Sequence, residues 1–292
     1  MHVAARDGTR LHVETAGELG EPILFVHEFG GNHDAWEPQV RAFSRTNRCI
    51  TYAARGYAPS DIPEDPDAYS QAIAVSDAID VLDALGIRKA HVVGLSMGGF
   101  TALYVGLDHP DRARSLLVAG AGYGCEKGRE EYFREVSLEV ARKFEADPSG
   151  FSKIYALGAS RVQFQNKDPR GWAAFADRLS RHSAIGAANT MRGVQARRPA
   201  FWQLEDRLRE MRVPTLVMVG DEDDHCLQPG LYLKRMLPAA GLSILPKTGH
   251  TLNLEEPELF NDQLARFLAQ VSAGSWGRRD PRADREQVMR VR

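Results

Sequence analysis

Ser96 lies in the segment Gly94-Leu95-Ser96-Met97-Gly98, where a glycine stands two residues away on either side. An unbroken apolar run at residues 91–95 predicts a buried strand before the serine, and residues 97–108 predict a helix after it. A serine on such a strand-to-helix turn presents its hydroxyl above the sheet edge, and the glycines give the sharp turn its clearance. The helix N-terminus also offers free N–H groups to a developing oxyanion. The pattern therefore predicts that Ser96 is a nucleophile for acyl transfer.

Such a serine needs a base, because its hydroxyl attacks poorly until a neighbouring group takes the proton. His250 is the candidate, since it follows the last apolar run, residues 242–245, and the glycine before it lets its loop approach the serine closely. His225 and His182 are alternatives, but neither lies on a loop after the last predicted strand.

An acid is expected to orient the base and fix its tautomer. Four consecutive acids follow the apolar run 215–219, at positions 221–224. They cannot all be buried and charged, because like charges raise one another's pKa. Most of them are therefore expected to be solvated, and the residues alone leave open which one faces His250.

Residues 94–99 resemble the nucleophile elbow of the α/β-hydrolase family. The resemblance extends over residues 22–111 and 213–268, in the family's order of serine, acid and histidine, and residues 55–61 are similar to its RGxGxSD loop. It implies a doubly wound α/β fold with a mostly parallel sheet, and neither a cofactor nor a metal.

The resemblance also assigns the remaining catalytic roles. Asp223 matches the last position of the family's GxxD loop, which makes it the predicted acid, with Asp224 and then Asp221 as the next choices. His250 opens a segment similar to the family's GHxxxxExP. The triad implied by the resemblance is therefore Ser96, Asp223 and His250.

The loop after residues 23–26 departs from the family's pattern at Glu28, where the family usually has glycine. By resemblance, the backbone N–H groups of Phe29 and Met97 form the oxyanion hole. Glycine permits a positive φ and close approach, and glutamate does neither cheaply. Glu28 is therefore expected either to position a water or substrate group or to turn into a neighbouring polar network. His27 is expected to be a structural support for the loop.

The elements that must position these residues alternate along the chain. A hairpin that turns at Asp7-Gly8 is followed by short apolar runs, typical of strands covered on both faces, with helical stretches between them. Strand–helix alternation predicts a doubly wound sheet with right-handed crossovers. The predicted strands are 2–5, 11–15, 23–26, 48–53, 91–95, 115–119, 215–219 and 242–245, and the predicted helices are 34–44, 69–85, 97–108, 230–237 and 257–269.

One long interval contains helical segments but no convincing strand, and it exceeds the length of a simple connection. We predict a core formed by residues 1–121 and 209–272, a helical cap inserted at 122–208, and a disordered tail at 273–292. The tail carries six arginines and three acids and has little to bury.

The second half of the predicted cap is basic, with ten Lys and Arg against four acids at 160–209. An arginine fork pairs with a carboxylate through two parallel hydrogen bonds, so Arg192 and Arg197 predict a carboxylate-bearing small-molecule substrate. Trp172 and Trp202 are candidates for the pocket wall, and Glu28 completes the predicted substrate-binding set. The alternative is an ordinary amphipathic arrangement with arginines outside and aromatic side chains inside.

Bulk properties limit the other classes of function. The chain has 292 residues with 37 Lys and Arg against 39 Asp and Glu, so a net charge of −2 gives no field for nucleic acid or anionic membranes. No signal segment is evident, and no apolar run approaches the roughly 18 residues of a membrane span. Three scattered cysteines with no metal-binding spacing favour a reducing compartment, and we predict a cytoplasmic protein.

The leading functional hypothesis is hydrolysis of a small carboxylic ester or lactone through an acyl-enzyme on Ser96. C–C bond hydrolysis of a diketone-like acid and amide hydrolysis use the same triad and stay open. Ligand sensing is a second class, because some members of the resembled family act as receptors. A nucleic-acid interaction through the basic tail is a third and weaker class. The resemblance disfavours dehalogenases and epoxide hydrolases of this fold, since they use an aspartate nucleophile in place of Ser96. The sequence predicts no oligomeric state.

Overall fold

A single sheet of eight strands organises the molecule, which we describe from a computed structural model covering residues 1–283. The strands stand in the order β1-β2-β4-β3-β5-β6-β7-β8. Antiparallel pairing joins β1 to β2 and β2 to β4, and the other neighbours pair in parallel. The strands are β1 (His2–Ala4), β2 (Arg10–Ala16), β3 (Pro22–Val26), β4 (Arg48–Tyr52), β5 (Ala90–Leu95), β6 (Ala113–Ala119), β7 (Thr215–Gly220) and β8 (Ala240–Leu245). The predicted doubly wound, mostly parallel fold is confirmed.

Helices cover both faces of this sheet. They are α1 (Glu37–Phe43), α2 (Gln71–Ala84), α3 (Met97–Asp108), α4 (Glu130–Ala146), α5 (Pro148–Ala156), α6 (Val162–Lys167), α7 (Pro169–Ser180), α8 (Ala184–Thr190), α9 (Glu205–Glu210), α10 (Asp224–Met236), α11 (Leu252–Glu255) and α12 (Pro257–Ser272). Within the described residues, no helix combines the length and apolarity needed to cross a membrane.

Burial on both faces explains why the strands read as unbroken apolar runs. In β3, Leu24 and Val26 belong to one hydrophobic cluster, while Ile23 and Phe25 belong to the cluster on the opposite face. Successive side chains of a strand point to opposite faces, so a strand covered on both sides needs apolar residues at every position.

Three predicted helices differ from the observed ones at their first turns. The predicted helix 34–44 is a 3₁₀ turn followed by α1, in which Pro38, having no N–H, occupies the first turn. Helix α2 begins two residues late because the Ser70 hydroxyl caps it, accepting from the Ile73 N–H at 3.1 Å. Helix α10 begins at Asp224, ahead of the predicted residue 230, and continues through Pro229. A proline in the second turn removes only one backbone hydrogen bond.

Helices α4 to α9 occupy the chain between β6 and β7; α4 to α8 lie inside the segment predicted to be a cap, and α9 ends two residues beyond it. Buried residues of α4 to α8, among them Phe144 and Phe175, form one cluster with Met191, which follows α8, and with Phe29 and Met97 at the sheet edge. The helical segment therefore packs over that edge. Its domain boundaries, 122 and 208, stay predictions.

Part of the predicted tail packs against the fold. The Trp276 indole N–H donates to the Ala239 carbonyl at 2.8 Å, and its ring meets Phe267 edge to face at 4.6 Å. The prediction that the tail has little apolar surface to bury did not take this tryptophan into account. The remainder of the tail, residues 284–292, lies outside the described residues.

Candidate active site

The turn that carries Ser96 has the strained geometry that the glycine spacing predicts. Ser96 connects β5 to α3 with φ 55° and ψ −114°, a left-handed conformation that costs energy for any residue with a side chain. A Cβ at Gly98 would lie 2.0 Å from the Val26 carbonyl oxygen, and one at Gly94 would lie 2.0 Å from that of Gly98. Both glycines are therefore required by close backbone contact.

The structure brings Asp223 and His250 together. Asp223 Oδ2 lies 2.6 Å from His250 Nδ1, and both side chains are buried. An ionised carboxylate only accepts, so Nδ1 carries the proton and Nε2 keeps its lone pair. The other two acids considered for this role lie elsewhere: Asp221 accepts from the Thr248 N–H at 3.1 Å, and Asp224 is exposed at the start of α10.

Charge coupling between the pair outweighs burial. Burial alone would lower the pKa of His250, but the Asp223 carboxylate raises it above its ordinary value. Burial alone would raise the pKa of Asp223, and the His250 ring holds it below its ordinary value. The raised pKa of His250 and the lowered pKa of Asp223 both favour a charged pair, so the arrangement stabilises an imidazolium at His250 once the ring takes a second proton.

The alternative histidines have other partners. His225 Nδ1 lies 2.6 Å from a Glu126 carboxylate oxygen. His182 packs edge to face against Tyr57 at 5.1 Å, and burial lowers its pKa to about 4. Neither is held by a buried aspartate as His250 is.

Ser96, Asp223 and His250 all line one cavity of about 810 Å³, a volume that includes its open mouth. The helical segment closes the cavity from above with Tyr155, Arg161 and Met191 among others. Parallel strands bring their carboxyl ends to the same edge of a sheet, which is why loops far apart in sequence meet here.

His27 supports the loop that carries the predicted oxyanion donor Phe29. The Ala54 N–H donates to His27 Nε2 at 3.0 Å, so Nδ1 holds the proton and donates to the Glu28 carbonyl at 2.7 Å. Burial lowers the pKa of His27 to about 4, which keeps the ring neutral. Met97, the other predicted donor, is the first residue of α3, where a backbone N–H has no partner within the helix.

Glu28 turns into a buried polar network. Its carboxylate receives both terminal nitrogens of Arg161, at 2.5 and 3.2 Å, and Arg161 also donates to the Thr251 hydroxyl. The guanidinium stacks over the Phe175 ring, 4.5 Å from its centroid. Burial would raise the pKa of Glu28, but the Arg161 charge outweighs it and lowers that pKa. The pair joins the oxyanion loop to the helical segment.

Removal of this carboxylate should destabilise the fold. We expect Glu28→Gln to lower the free energy of unfolding by about 3–5 kcal/mol, because the Arg161 charge would stay buried without its counter-charge. The matched control is Glu37→Gln, which disrupts an exposed pair with Arg41 and should cost less than about 1 kcal/mol. Urea unfolding of both variants measures the difference, and equal losses would contradict a structural role for the buried pair.

The structure does not bring the other predicted substrate residues to the Ser96 cavity. Arg192 forms a two-pronged ion pair with Glu145, and Arg197 is exposed. Trp172 donates to the Ala156 carbonyl at 2.9 Å, and Trp202 donates to the Glu130 carboxylate at 2.8 Å. This arrangement matches the amphipathic alternative, with arginines outside and aromatic rings packed within.

Arg198 is one of the three arginines of the basic segment 191–198, of which only Arg192 and Arg197 were predicted to be site residues. Arg198 and Gln195 lie next to the Ser96 cavity. Arg198 Nη1 and Gln195 Oε1 are buried and have no hydrogen-bond partner within residues 1–283. Arg198 Nη2 donates to the Tyr123 carbonyl at 2.9 Å, and its guanidinium lies 3.5 Å from the centre of the Phe100 ring. Both residues line a second cavity of about 580 Å³, whose wall shares Tyr123 and Gln195 with the first. Only the local excess of arginine hinted at this.

Comparison with known proteins identifies the family to which the chain belongs. Residues 23–263 match the model of the alpha/beta hydrolase family. The chain is 27% identical to 3-oxoadipate enol-lactonase 1 of Acinetobacter baylyi, over 92% of this chain and 97% of the relative. It is 29% identical to a 2-hydroxy-6-oxononadienedioate/2-hydroxy-6-oxononatrienedioate hydrolase of Comamonas testosteroni, over 89% and 91%.

A solved structure supports the same fold. The enol-lactonase from Burkholderia xenovorans LB400 superposes with a TM-score of 0.82 at 24% identity, covering 92% of this chain and all of the other. Together these matches place the chain in the α/β-hydrolase family and identify it as a hydrolase.

Proposed function

We propose that this hydrolase cleaves a small carboxylic ester or lactone through an acyl-enzyme on Ser96. The proposal rests on one observation above all: the buried 2.6 Å contact between Asp223 and His250 opens onto the cavity that also holds Ser96 on its positive-φ turn. The relative named as an enol-lactonase supports a lactone as the substrate.

In the proposed mechanism, His250 Nε2 takes the proton of the Ser96 hydroxyl as its oxygen attacks the acyl carbonyl. Asp223 stabilises the imidazolium that forms. The N–H groups of Phe29 and Met97 donate to the developing oxyanion. They therefore stabilise the transition state at the atom where negative charge builds up. The imidazolium then protonates the leaving oxygen, and a water activated by His250 releases the acid.

Hydrolysis of a C–C bond in a diketone-like acid is the second candidate, and the relative from Comamonas testosteroni favours it. A substrate panel of matched esters, lactones and diketone acids separates the two. We expect turnover of the ester or lactone with a transient adduct on Ser96, seen as an acyl mass increase in intact protein. Cleavage of the diketone acid alone would replace the ester proposal, and slow single-turnover hydrolysis would favour a ligand sensor.

We further propose that the substrate carries a carboxylate and that Arg198 recognises it. Arg161 already has its charge balanced by Glu28, whereas Arg198 has no carboxylate within 4 Å in the described part of the chain. Burial lowers the pKa of Arg198 to about 10, so it stays charged at neutral pH. A buried guanidinium with an unused N–H in a polar cavity beside the nucleophile suits an anionic group.

A hydrogen bond to a charged group contributes about 1.5–3 kcal/mol, which corresponds to a ten- to hundredfold effect. Arg198→Gln should therefore lower kcat/KM for a free carboxylate substrate by about that factor and leave its methyl ester nearly unchanged. The control is Arg197→Gln, whose side chain is exposed next to it in sequence. Equal kcat/KM for acid and methyl ester in the wild type would contradict the proposed carboxylate preference.

A further inference from the structure

A cluster of two histidines and a glutamate, His12, His33 and Glu14, lies beside β2 and apart from the Ser96 cavity. His12 and Glu14 are two residues apart on this strand and therefore share a face. His33 opens the 3₁₀ turn that follows the oxyanion loop, and its ring lies 4.8 Å from that of His12. Glu14 Oε1 is 3.1 Å from His12 Nε2 and 3.4 Å from His33 Nε2.

These distances are also compatible with a metal ion held between the three side chains. With bonds of about 2.0–2.2 Å, neighbouring ligand atoms of tetrahedral zinc lie about 3.3–3.6 Å apart. The three ligand atoms of His12, Glu14 and His33 all lie within 4.8 Å of one another. Two imidazoles and one carboxylate also form a donor set that divalent transition metals accept.

The tautomer of the His33 ring gives a second argument for a metal ion at this cluster. Asn32 Nδ2 donates to the Ala58 carbonyl at 2.7 Å, and Asn32 Oδ1 accepts from the His33 backbone N–H at 2.8 Å, so the orientation of the amide is fixed. His33 Nδ1 lies 3.1 Å from the same oxygen and must donate to it. The Nε2 lone pair then faces the Glu14 carboxylate.

A lone pair and a carboxylate oxygen 3.4 Å apart repel each other, and either a proton on His33 or a metal ion between them would remove that repulsion. A histidine that donates its second ring N–H to a fixed oxygen while its other nitrogen faces further ligands has the usual arrangement of a metal ligand.

We propose that His12, Glu14 and His33 bind one divalent transition-metal ion of the zinc class, with a water as the fourth ligand. The ion would join β2 to the turn that follows the oxyanion loop. The ion would therefore help to hold the oxyanion loop in place from outside the catalytic cavity. It would take no part in the reaction at Ser96. His12 and Glu14 are close in sequence, but His33 follows Glu14 by 19 residues, so the folded chain is needed to bring the third ligand to the other two.

Zinc titration of tag-free protein, followed by calorimetry, tests the site. We expect one Zn²⁺ per chain at neutral pH and at least tenfold weaker binding in His33→Asn and in Glu14→Gln. His109→Asn, a half-buried histidine away from the cluster, is the matched control and should bind as the wild type does. Unchanged affinity in both ligand variants would overturn the proposal.

A second possible ligand set must be distinguished, because Asp223, Cys226 and His250 also present ligand atoms within 4.8 Å of one another. Cys226→Ser should leave the zinc stoichiometry and affinity unchanged if the ion binds at His12. Cobalt substitution in the wild type gives a readout that needs no variant. The proposal predicts the visible absorption bands of tetrahedral cobalt bound by nitrogen and oxygen, with no charge-transfer band from a thiolate ligand. A thiolate charge-transfer band, or a failure to bind cobalt, would overturn it.

Discussion

Ser96→Ala should lower kcat on the preferred substrate by a factor on the order of 10⁶, the scale seen when a serine nucleophile is removed from an intact triad. Only one oxygen is lost, and alanine bears the positive φ of this turn at a similar cost, so the free energy of unfolding should change by less than about 1 kcal/mol. Steady-state kinetics and urea unfolding measure the two quantities on the same preparation.

The matched control is Ser160→Ala, in the wall of the same cavity, where the backbone carbonyl and not the side chain bonds to the His250 N–H at 2.8 Å. It should keep most of the activity. His250→Ala should resemble Ser96→Ala, and the double variant should be hardly worse than either, because the groups act as one unit. More than a few per cent of wild-type activity in Ser96→Ala would refute the assignment of the nucleophile.

Asp223→Asn should fold normally and lose a factor of about 10⁴ in kcat. Asparagine fills the same space, but it cannot stabilise the imidazolium, and its amide can donate to Nδ1 and so favour the wrong tautomer of His250. The measurement is kcat over a range of pH, because loss of the carboxylate should also lower the apparent pKa of the base, which Asp223 raises.

The acidic loop supplies its own control, since Asp224→Asn removes an equal charge one residue away from an exposed position. It should leave kcat within a few-fold of the wild type. If Asp224→Asn were crippled while Asp223→Asn remained active, the other carboxylate would be the orienting acid and the triad would need revision.

The central strands of the sheet could be predicted because their burial on both faces demands apolar residues along the strand. All eight predicted strands are present, and their ends differ from the predicted ones by at most two residues. Helix starts were less predictable, because a cap such as Ser70 or a tolerated proline such as Pro229 acts through local geometry that periodicity does not record.

The sequence by itself determined the family, the mostly parallel sheet and the turn at Ser96. Each of these depends on neighbours within a few residues, as the contact of Gly94 with Gly98 illustrates. The choice of Asp223 from four adjacent acids came only by resemblance, and the tertiary structure alone shows which carboxylate reaches His250.

Long-range pairing was decided by the tertiary structure. Glu28 and Arg161 are 133 residues apart, and nothing near either residue in the sequence marks the other as its partner. The place of Arg198 beside the cavity, with its Nη1 unpaired within residues 1–283, and the approach of His33 to His12 also follow only from the folded chain. The local pattern of apolar residues indicates which face of a strand or helix is covered. The pairing of buried charges depends instead on how separate loops meet at the sheet edge, and that is known only from the folded chain.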